Sequence, residues 1–205
     1  MGYDFDKTHE LILRSAMESF MRNGFSGASI RQICKDAGVT NGAFYSHFGS
    51  KEELFAKLVD PALTGLMDKY AEDSSGYKKI KTAKEFETVL KQSFESDRIM
   101  IHYIYENADA FRLILTAGAG TEYENLQDKI AAKESEWTVA FLEGCKSFMK
   151  KPENISDGLI KNISRFVVDT VFDIFMEGKT EEETIRQAQL ASEFCISGLK
   201  RILGI

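Results

Sequence analysis

Apolar residues recur along this chain at the three- and four-residue spacing of helices, and the helices they predict are short and sharply bounded near the start. Between residues 7 and 23, Leu11, Ile12, Ala16 and Phe20 fall on one face, and Asn23-Gly24 supplies a stop. After a bend through Phe25, Ser26, Gly27 and Ala28, a second helix places Ile30, Ile33, Cys34 and Ala37 on a single stripe. Ser29, with Gln32 three residues on, reads as its N-terminal cap, and Gly38 as its left-handed end. Thr40 then opens a third helix so soon after Gly38 that the chain has room only for a sharp corner. This is helix-turn-helix geometry.

The third helix presents a distinctive outer face. With residues at steps of about 100° and Phe44 pointing inward, Phe48 lies near 40°, Gly42 near 160° and Ser46 near 200°. Phe44 and Phe48 therefore anchor the helix, while Asn41, Gly42, Ala43, Tyr45 and Ser46 flank or form the outward side. Such a face is short and nearly uncharged, unlike the Glu- and Lys-rich side of a merely solvated helix, and it can approach a DNA groove closely. In a major groove the Asn41 amide is suited to the edge of adenine, and Ala43 to a thymine methyl.

The segment Gly38-Val39-Thr40-Asn41-Gly42-Ala43-Phe44-Tyr45-Ser46-His47-Phe48, followed by Ser50-Lys51-Glu52-Glu53-Leu54, closely resembles the signature of the TetR family of bacterial transcriptional regulators. The likeness covers about residues 8 to 60. It implies an all-α chain: an N-terminal three-helix helix-turn-helix DNA-binding domain over 1–50, then a helical effector-binding and dimerisation domain over 51–205. It also implies phosphate contacts from Thr40, Tyr45, His47 and Lys51. From the residues themselves Arg22 and Arg31 are further phosphate candidates, an ordinary exposed arginine being the alternative for each, and Ser29 is counted with the DNA-binding residues. Tyr45 as a structural aromatic, and His47 bonded to a backbone carbonyl, are the alternatives for those two residues.

Beyond Phe48, Ser50-Lys51-Glu52-Glu53 is a capping box opening a long helix with Leu54, Phe55, Leu58 and Val59 inward. A phosphate fits at that N-terminus. Pro61 either ends this helix or kinks it, and continuation through Leu63, Leu66, Met67 and Tyr70 is favoured. Residues 72–84 read as a loop. Helical spacing resumes from Glu85 to about Asn107, over about 109–117, and from about Thr121 to Lys150, before Pro152.

The last two helices are apolar on more than one side. Over Ser156–Glu177, Val168, Phe172, Phe175 and Met176 belong to a face that runs nearly all round, which calls for two partners. After Gly178, Thr180 caps a final helix in which Ala188, Ala191, Cys195 and Gly198 form a stripe of small residues beside Phe194 and Leu199. These residues are expected to pair two copies through a bundle of two helices each, as the resemblance also implies. The alternative is the core of a monomer.

Composition narrows the function. The chain has 205 residues, 43% of them hydrophobic, and a net charge of −6. Arg22, Arg31, Lys35 and Lys51 against Asp36 alone nevertheless leave the helix-turn-helix an excess of three positive charges. DNA affinity on so modest a basic footprint should fall quickly with salt. Cys34, Cys145 and Cys195 are odd in number and set in helical patterns, as in a reduced cytoplasmic protein. No apolar leader and no long apolar run occurs, so secretion and membrane spanning are not expected.

A second site is expected among Phe94, Met100, His102, Tyr103, Phe111, Trp137, Phe141 and Phe166, on the middle helices where the resemblance implies a pocket for a small apolar or aromatic effector. Each is also readable as plain core. His102 and Trp137 are the members able to orient a ligand by hydrogen bonds. No cofactor or metal is expected: His9, His47 and His102 have no metal-ligand spacing, and Ile99-Met100-Ile101-His102 lacks the acid of a di-iron motif. There is no phosphate-cradling glycine loop and no nucleophile elbow, so an enzyme is not expected. A same-fold DNA-binding protein controlled by a protein partner is the competing reading.

Overall fold

The computed structural model describes residues 5–73, 80–151 and 155–205, and among them all regular structure is helical. In chain order the helices are α1 (Phe5–Gly27), α2 (Ile30–Ala37), α3 (Asn41–Tyr45), α4 (Lys51–Asp73), α5 (Ala83–Glu106), α6 (Ala108–Ala117), α7 (Leu126–Cys145), α8 (Asp157–Met176) and α9 (Glu181–Leu203). A 3-10 turn, Lys146–Phe148, follows α7. No described helix is long and apolar enough to cross a membrane. The chain divides into two compact units, Met1–Gly65 with Asn107–Leu126, and Leu66–Glu106 with Gln127–Ile205. That division falls inside α4, later than the boundary expected at residue 50, and it assigns α6 to the N-terminal unit.

In the N-terminal unit α1 breaks at Gly24, whose φ of 68° and ψ of 171° suit glycine alone. The break turns Phe25 back into the core, where Phe20, Phe25 and Phe55 meet with ring centroids 5.1 to 5.8 Å apart. Leu11, expected inside, is 36% exposed, because Thr8, Ile12, Ala16 and Ser19 take the inward face. Gly38 ends α2 in the left-handed region, with its N–H donating to the Lys35 carbonyl. Ser29 flanks α2 without a side-chain capping bond, and the Gln32 amide donates to Asp36 Oδ1 at 2.7 Å, so the reciprocal bond of a capping box is not made from that side either.

α4 continues through Pro61, as favoured from the sequence. One turn of this helix is tied to the 118–125 segment: the buried Tyr123 donates its hydroxyl hydrogen to Asp60 Oδ1 at 2.6 Å and lays its ring against Phe55. Burial, then the bond to Asp60, raises the Tyr123 pKa. The helix expected from Thr121 starts only at Leu126, because Thr121 donates to the Gly118 carbonyl and Asn125 adopts a φ of 63°. The loop expected over 72–84 is shorter than its span, since α4 reaches Asp73 and α5 begins at Ala83. Residues 74–79 and Pro152 lie outside the described residues.

In the second unit α8 and α9 pack on each other and α9 also packs on α5. Thr180 caps α9 by accepting from Glu183 N at 3.2 Å, and Ser156 caps α8 from Leu159 N at 3.3 Å. Tyr105 donates to the Lys179 carbonyl at 3.0 Å and shares a 2.6 Å hydrogen bond with Thr184, fastening α5 to the start of α9. Val168, Phe172, Phe175, Ala188 and Ala191 are buried in this packing.

Replacing Tyr123 by Phe should lower stability by about 1 kcal/mol, the scale of one partly buried hydrogen bond. Urea unfolding is the measurement, and an unchanged midpoint would show that the Asp60 bond contributes nothing.

Candidate nucleic-acid interface

The helix-turn-helix is fixed from within by two phenylalanines. Phe44 and Phe48 are buried, and their rings lie 5.8 Å apart. Thr40 caps α3 by accepting from Ala43 N at 3.1 Å, which leaves its hydroxyl hydrogen to donate outward. α3 is shorter than expected and ends at Tyr45. Beyond it His47 N bonds to the Phe44 carbonyl three residues back, and this tighter turn delivers Phe48 to the core. Gly42 and Ser46 stand opposite Phe44, and Thr40, Asn41 and Tyr45 are also exposed, with Ala43 half-buried. Tyr45 is 59% exposed with its ring edge-on to Phe44. The Ser46 hydroxyl donates to the Gly42 carbonyl at 3.1 Å, so its hydrogen is engaged within α3.

Ser29 and Arg31 are exposed at the start of α2. No acidic residue occupies that first turn, and Ser29 makes no side-chain capping bond there. The start of α4 is arranged in the opposite way. Ser50 accepts from Glu53 N at 3.1 Å, the Glu53 carboxylate accepts from Gly49 N at 2.7 Å, and a bond from its own backbone N–H, then one from the Ser50 hydroxyl, holds the Glu52 carboxyl below its usual pKa. The phosphate expected at this N-terminus is displaced by the chain's own carboxylates.

Two residues expected to touch phosphate are turned inward. Lys51 donates to the carbonyls of Phe25 and Ala28 at 2.8 and 3.1 Å and lies 4.5 Å from the Phe25 ring centroid. It therefore satisfies the bend between α1 and α2 instead of reaching outward. His47 packs in an aromatic cluster, 3.9 Å from the Phe5 ring centroid and 5.6 Å from His9, with Phe48 beside it. Arg22 pairs loosely with Asp36, at 3.9 Å. The outward cations of this surface reduce to Arg31 and Lys35, fewer than the sequence promised.

In the second unit the middle helices enclose a cavity of about 170 Å3. Phe94, Met100, Trp137 and Phe141 line it, as expected. The other four expected members do not. His102 lies on the surface between Glu181 (3.0 Å) and Glu106 (3.4 Å), Tyr103 carries Lys69 over its ring, Phe111 is buried in the N-terminal unit, and Phe166 is 49% exposed. Leu66, Tyr70, Asp97, Glu134 and Lys200 also border the cavity and were missed. The register Phe86, Leu90, Phe94, Asp97, Ile101, Ile104 along α5 carried that signal, with one acid in an apolar stripe.

The surface expected to pair two copies is also redrawn. Val168, Phe172, Phe175, Ala188 and Ala191 are spent inside the chain, and Cys195 and Leu199 are half-buried. Met176, Phe194 and Gly198 remain exposed. Leu190, Phe194, Gly198 and Ile202 form a stripe at four-residue spacing on α9, with Phe194 75% exposed, and Phe166 faces outward on α8. Burial raises the pKa of all three thiols, that of Cys145 to about 11, and holds them protonated.

The N-terminal unit thus has the form of a helix-turn-helix head with an exposed, nearly uncharged reading face. Residues 12–58 match the family described as bacterial regulatory proteins, tetR family. Among curated relatives, the transcriptional regulator UidR of Escherichia coli K12 is 42% identical over 59 residues, covering 29% of this chain and 30% of UidR. SrpR of Pseudomonas putida is 43% identical over 54 residues, covering 26% of this chain and 25% of that protein. The chain thus matches less than a third of these relatives' length. Similarity to solved structures extends over nearly the whole chain: a transcriptional regulator from Aquifex aeolicus (TM-score 0.57, 19% identity, 91% of this chain and 98% of that one) and PfmR from Thermus thermophilus (0.53, 20%, 88% and 96%). Residues 12–58 form a TetR-family helix-turn-helix domain, within a chain that has the family's all-helical fold. The relatives are regulators and not enzymes.

Burial, and then the charge of nearby His9, lower the His47 pKa. Below the ordinary histidine range the unfolded chain takes up a proton that the folded one resists, so folding stability falls as pH drops through about 6.5. His47→Gln should flatten that fall between pH 7.5 and 5 in urea unfolding, and identical pH profiles would contradict this account. Lys51→Met should destabilise the fold by about 1.5 to 3 kcal/mol, the range for hydrogen bonds to a charged group, while leaving the salt dependence of DNA binding nearly unchanged. A clear drop in the salt slope would restore Lys51 to the phosphate contacts.

Proposed function

We propose that this protein is a homodimeric, DNA-binding transcriptional regulator, acting as a repressor that a small apolar effector releases from a palindromic operator. The observation that carries the reading is the α3 face: Asn41, Gly42 and Tyr45 exposed over a buried Phe44. Asn41 reads base edges in the major groove, Gly42 and Ala43 permit close approach, and Tyr45 and the Thr40 hydroxyl hold phosphates. Ser29, Arg31 and the amides starting α2 hold a further phosphate.

With few outward cations, one copy binds weakly, and pairing two heads on two half-sites adds their contacts. The exposed Leu190, Phe194, Gly198 and Ile202 stripe, together with Phe166, supports pairing through α8 and α9. The cavity among α5, α7, α8 and α9 supports effector control, because a ligand that prefers one DNA affinity state must shift the other by the same factor. Its existence favours a small molecule over a protein partner as the controlling ligand.

Selection of binding sites from random DNA, followed by salt titration on the enriched site, tests the reading. Tyr45→Ala should weaken binding to every sequence, whereas Asn41→Ala should relax preference at one position at a cost of about 1 to 3 kcal/mol on the preferred base. Failure of the wild type to enrich any site would overturn the proposal. Phe194→Glu should give monomers in sedimentation, and a persistent dimer would move the interface elsewhere.

A further inference from the structure

The buried hydroxyls of the second unit divide into two kinds. Thr184 is bonded to Tyr105 and to the Thr180 carbonyl, and Ser93, at the border of the cavity, donates to the Leu90 carbonyl at 2.9 Å. Ser164 on α8 and Ser192 on α9 differ: they are 6% and 8% exposed, and among the described residues neither makes a hydrogen bond within the chain. Both border the cavity. A buried polar group is nearly always bonded to its own chain, to water or to a ligand. The partner of these two hydroxyls therefore has to come from the cavity.

Their positions coincide along the helices. α8 and α9 are packed neighbours joined by residues 177–180 alone, so they run back along each other. Ser164 lies twelve residues before the end of α8 and Ser192 eleven after the start of α9, which at 1.5 Å per residue sets both about 17 Å from the connection. The two hydroxyls share one level of the cavity wall. One turn on from Ser192, Ile196 packs against the cluster of Phe86, Leu90 and Phe141, where Trp137 stacks on Phe141 at 5.8 Å with the planes 9° apart. A polar anchor thus adjoins an aromatic surface. The charged residues at the border, Asp97, Glu134 and Lys200, all have partners of their own, Lys200 with Glu87. An ion entering here would exchange its hydration for hydrocarbon and neutral hydroxyls, whereas an uncharged oxygen function finds groups that both donate and accept.

We propose that Ser164 and Ser192 form the polar anchor of the cavity and select an uncharged amphiphile, with a hydroxyl or carbonyl group held between them and an alkyl or aryl body against Trp137 and Phe141. The proposal rests on the effector reading of the cavity and names its ligand class.

Trp137 is the chain's one tryptophan, so its fluorescence reports on the cavity wall. The full chain is titrated at pH 7.5 with 1-octanol, octanoate and octylammonium, each below its solubility or aggregation limit. The alcohol should bind at least about tenfold tighter than either ion, because each ion loses hydration that neutral hydroxyls do not replace. The double variant Ser164→Ala, Ser192→Ala should bind 1-octanol about tenfold more weakly, the effect of losing one or two neutral hydrogen bonds. Its empty form should melt no lower than the wild type, since the hydroxyls have no partner within the chain to lose. An ion that binds as tightly as the alcohol overturns the uncharged class. Unchanged octanol affinity in the double variant, or a lower melting temperature of its empty form, overturns the serine anchor. Each of these results leaves the effector site standing. If none of the three compounds alters Trp137 emission or the melting temperature, the effector reading and its ligand class fall together.

Discussion

α3 is too short to exist by itself. Five residues make little more than one turn, and helix formation becomes favourable only over far longer stretches. Its presence depends on the burial of Phe44, on the Thr40 cap and on the tight turn that sends Phe48 into the same core. The outer face of α3 is positioned by the packed phenylalanine on its reverse side. Everything proposed about DNA recognition depends on that arrangement, since Asn41 and Tyr45 have no partner elements to position them from outside.

The same economy governs charge. Lys51 holds together the bend between α1 and α2, and Glu52 and Glu53 close the start of α4, so the residues that look most suited to phosphate serve the fold. What stays outward is uncharged hydroxyl, amide and backbone. On the proposed reading such a surface selects more than it attracts, and the exposed apolar stripe of α9 is the feature that would join two copies. At the cavity, likewise, Lys200 is paired with Glu87 and lies over the Phe86 ring.

The helix-turn-helix was legible because its signals are local. Caps, glycine stops and the Phe44–Phe48 spacing all lie within a few residues of the structure they specify. The direction of Lys51 was not legible, since its acceptors are 26 and 23 residues away and only the Gly24 break brings them near. The cavity was half legible. Helical register found Trp137 and Phe141, but an apolar stripe does not reveal whether it faces a void, the neighbouring helix or solvent, which is why Phe111 and Phe166 were misplaced. Likewise the apolar faces of α8 and α9 showed that two partners were needed without showing which residues met which. Val168 and Phe172 face their own chain, and Phe194 faces out.

Gly24 and Gly38 share a φ of 68°, and a methyl group at either would meet no atom within 4 Å. Space is therefore not what excludes other residues there. The two differ in ψ: Gly38, at 28°, sits in the basin that asparagine also visits, whereas Gly24, at 171°, occupies one that L-residues essentially do not enter. The corner after α2 can thus be written with more than one letter, while the break before Phe25 has a one-letter alphabet, set by handedness alone.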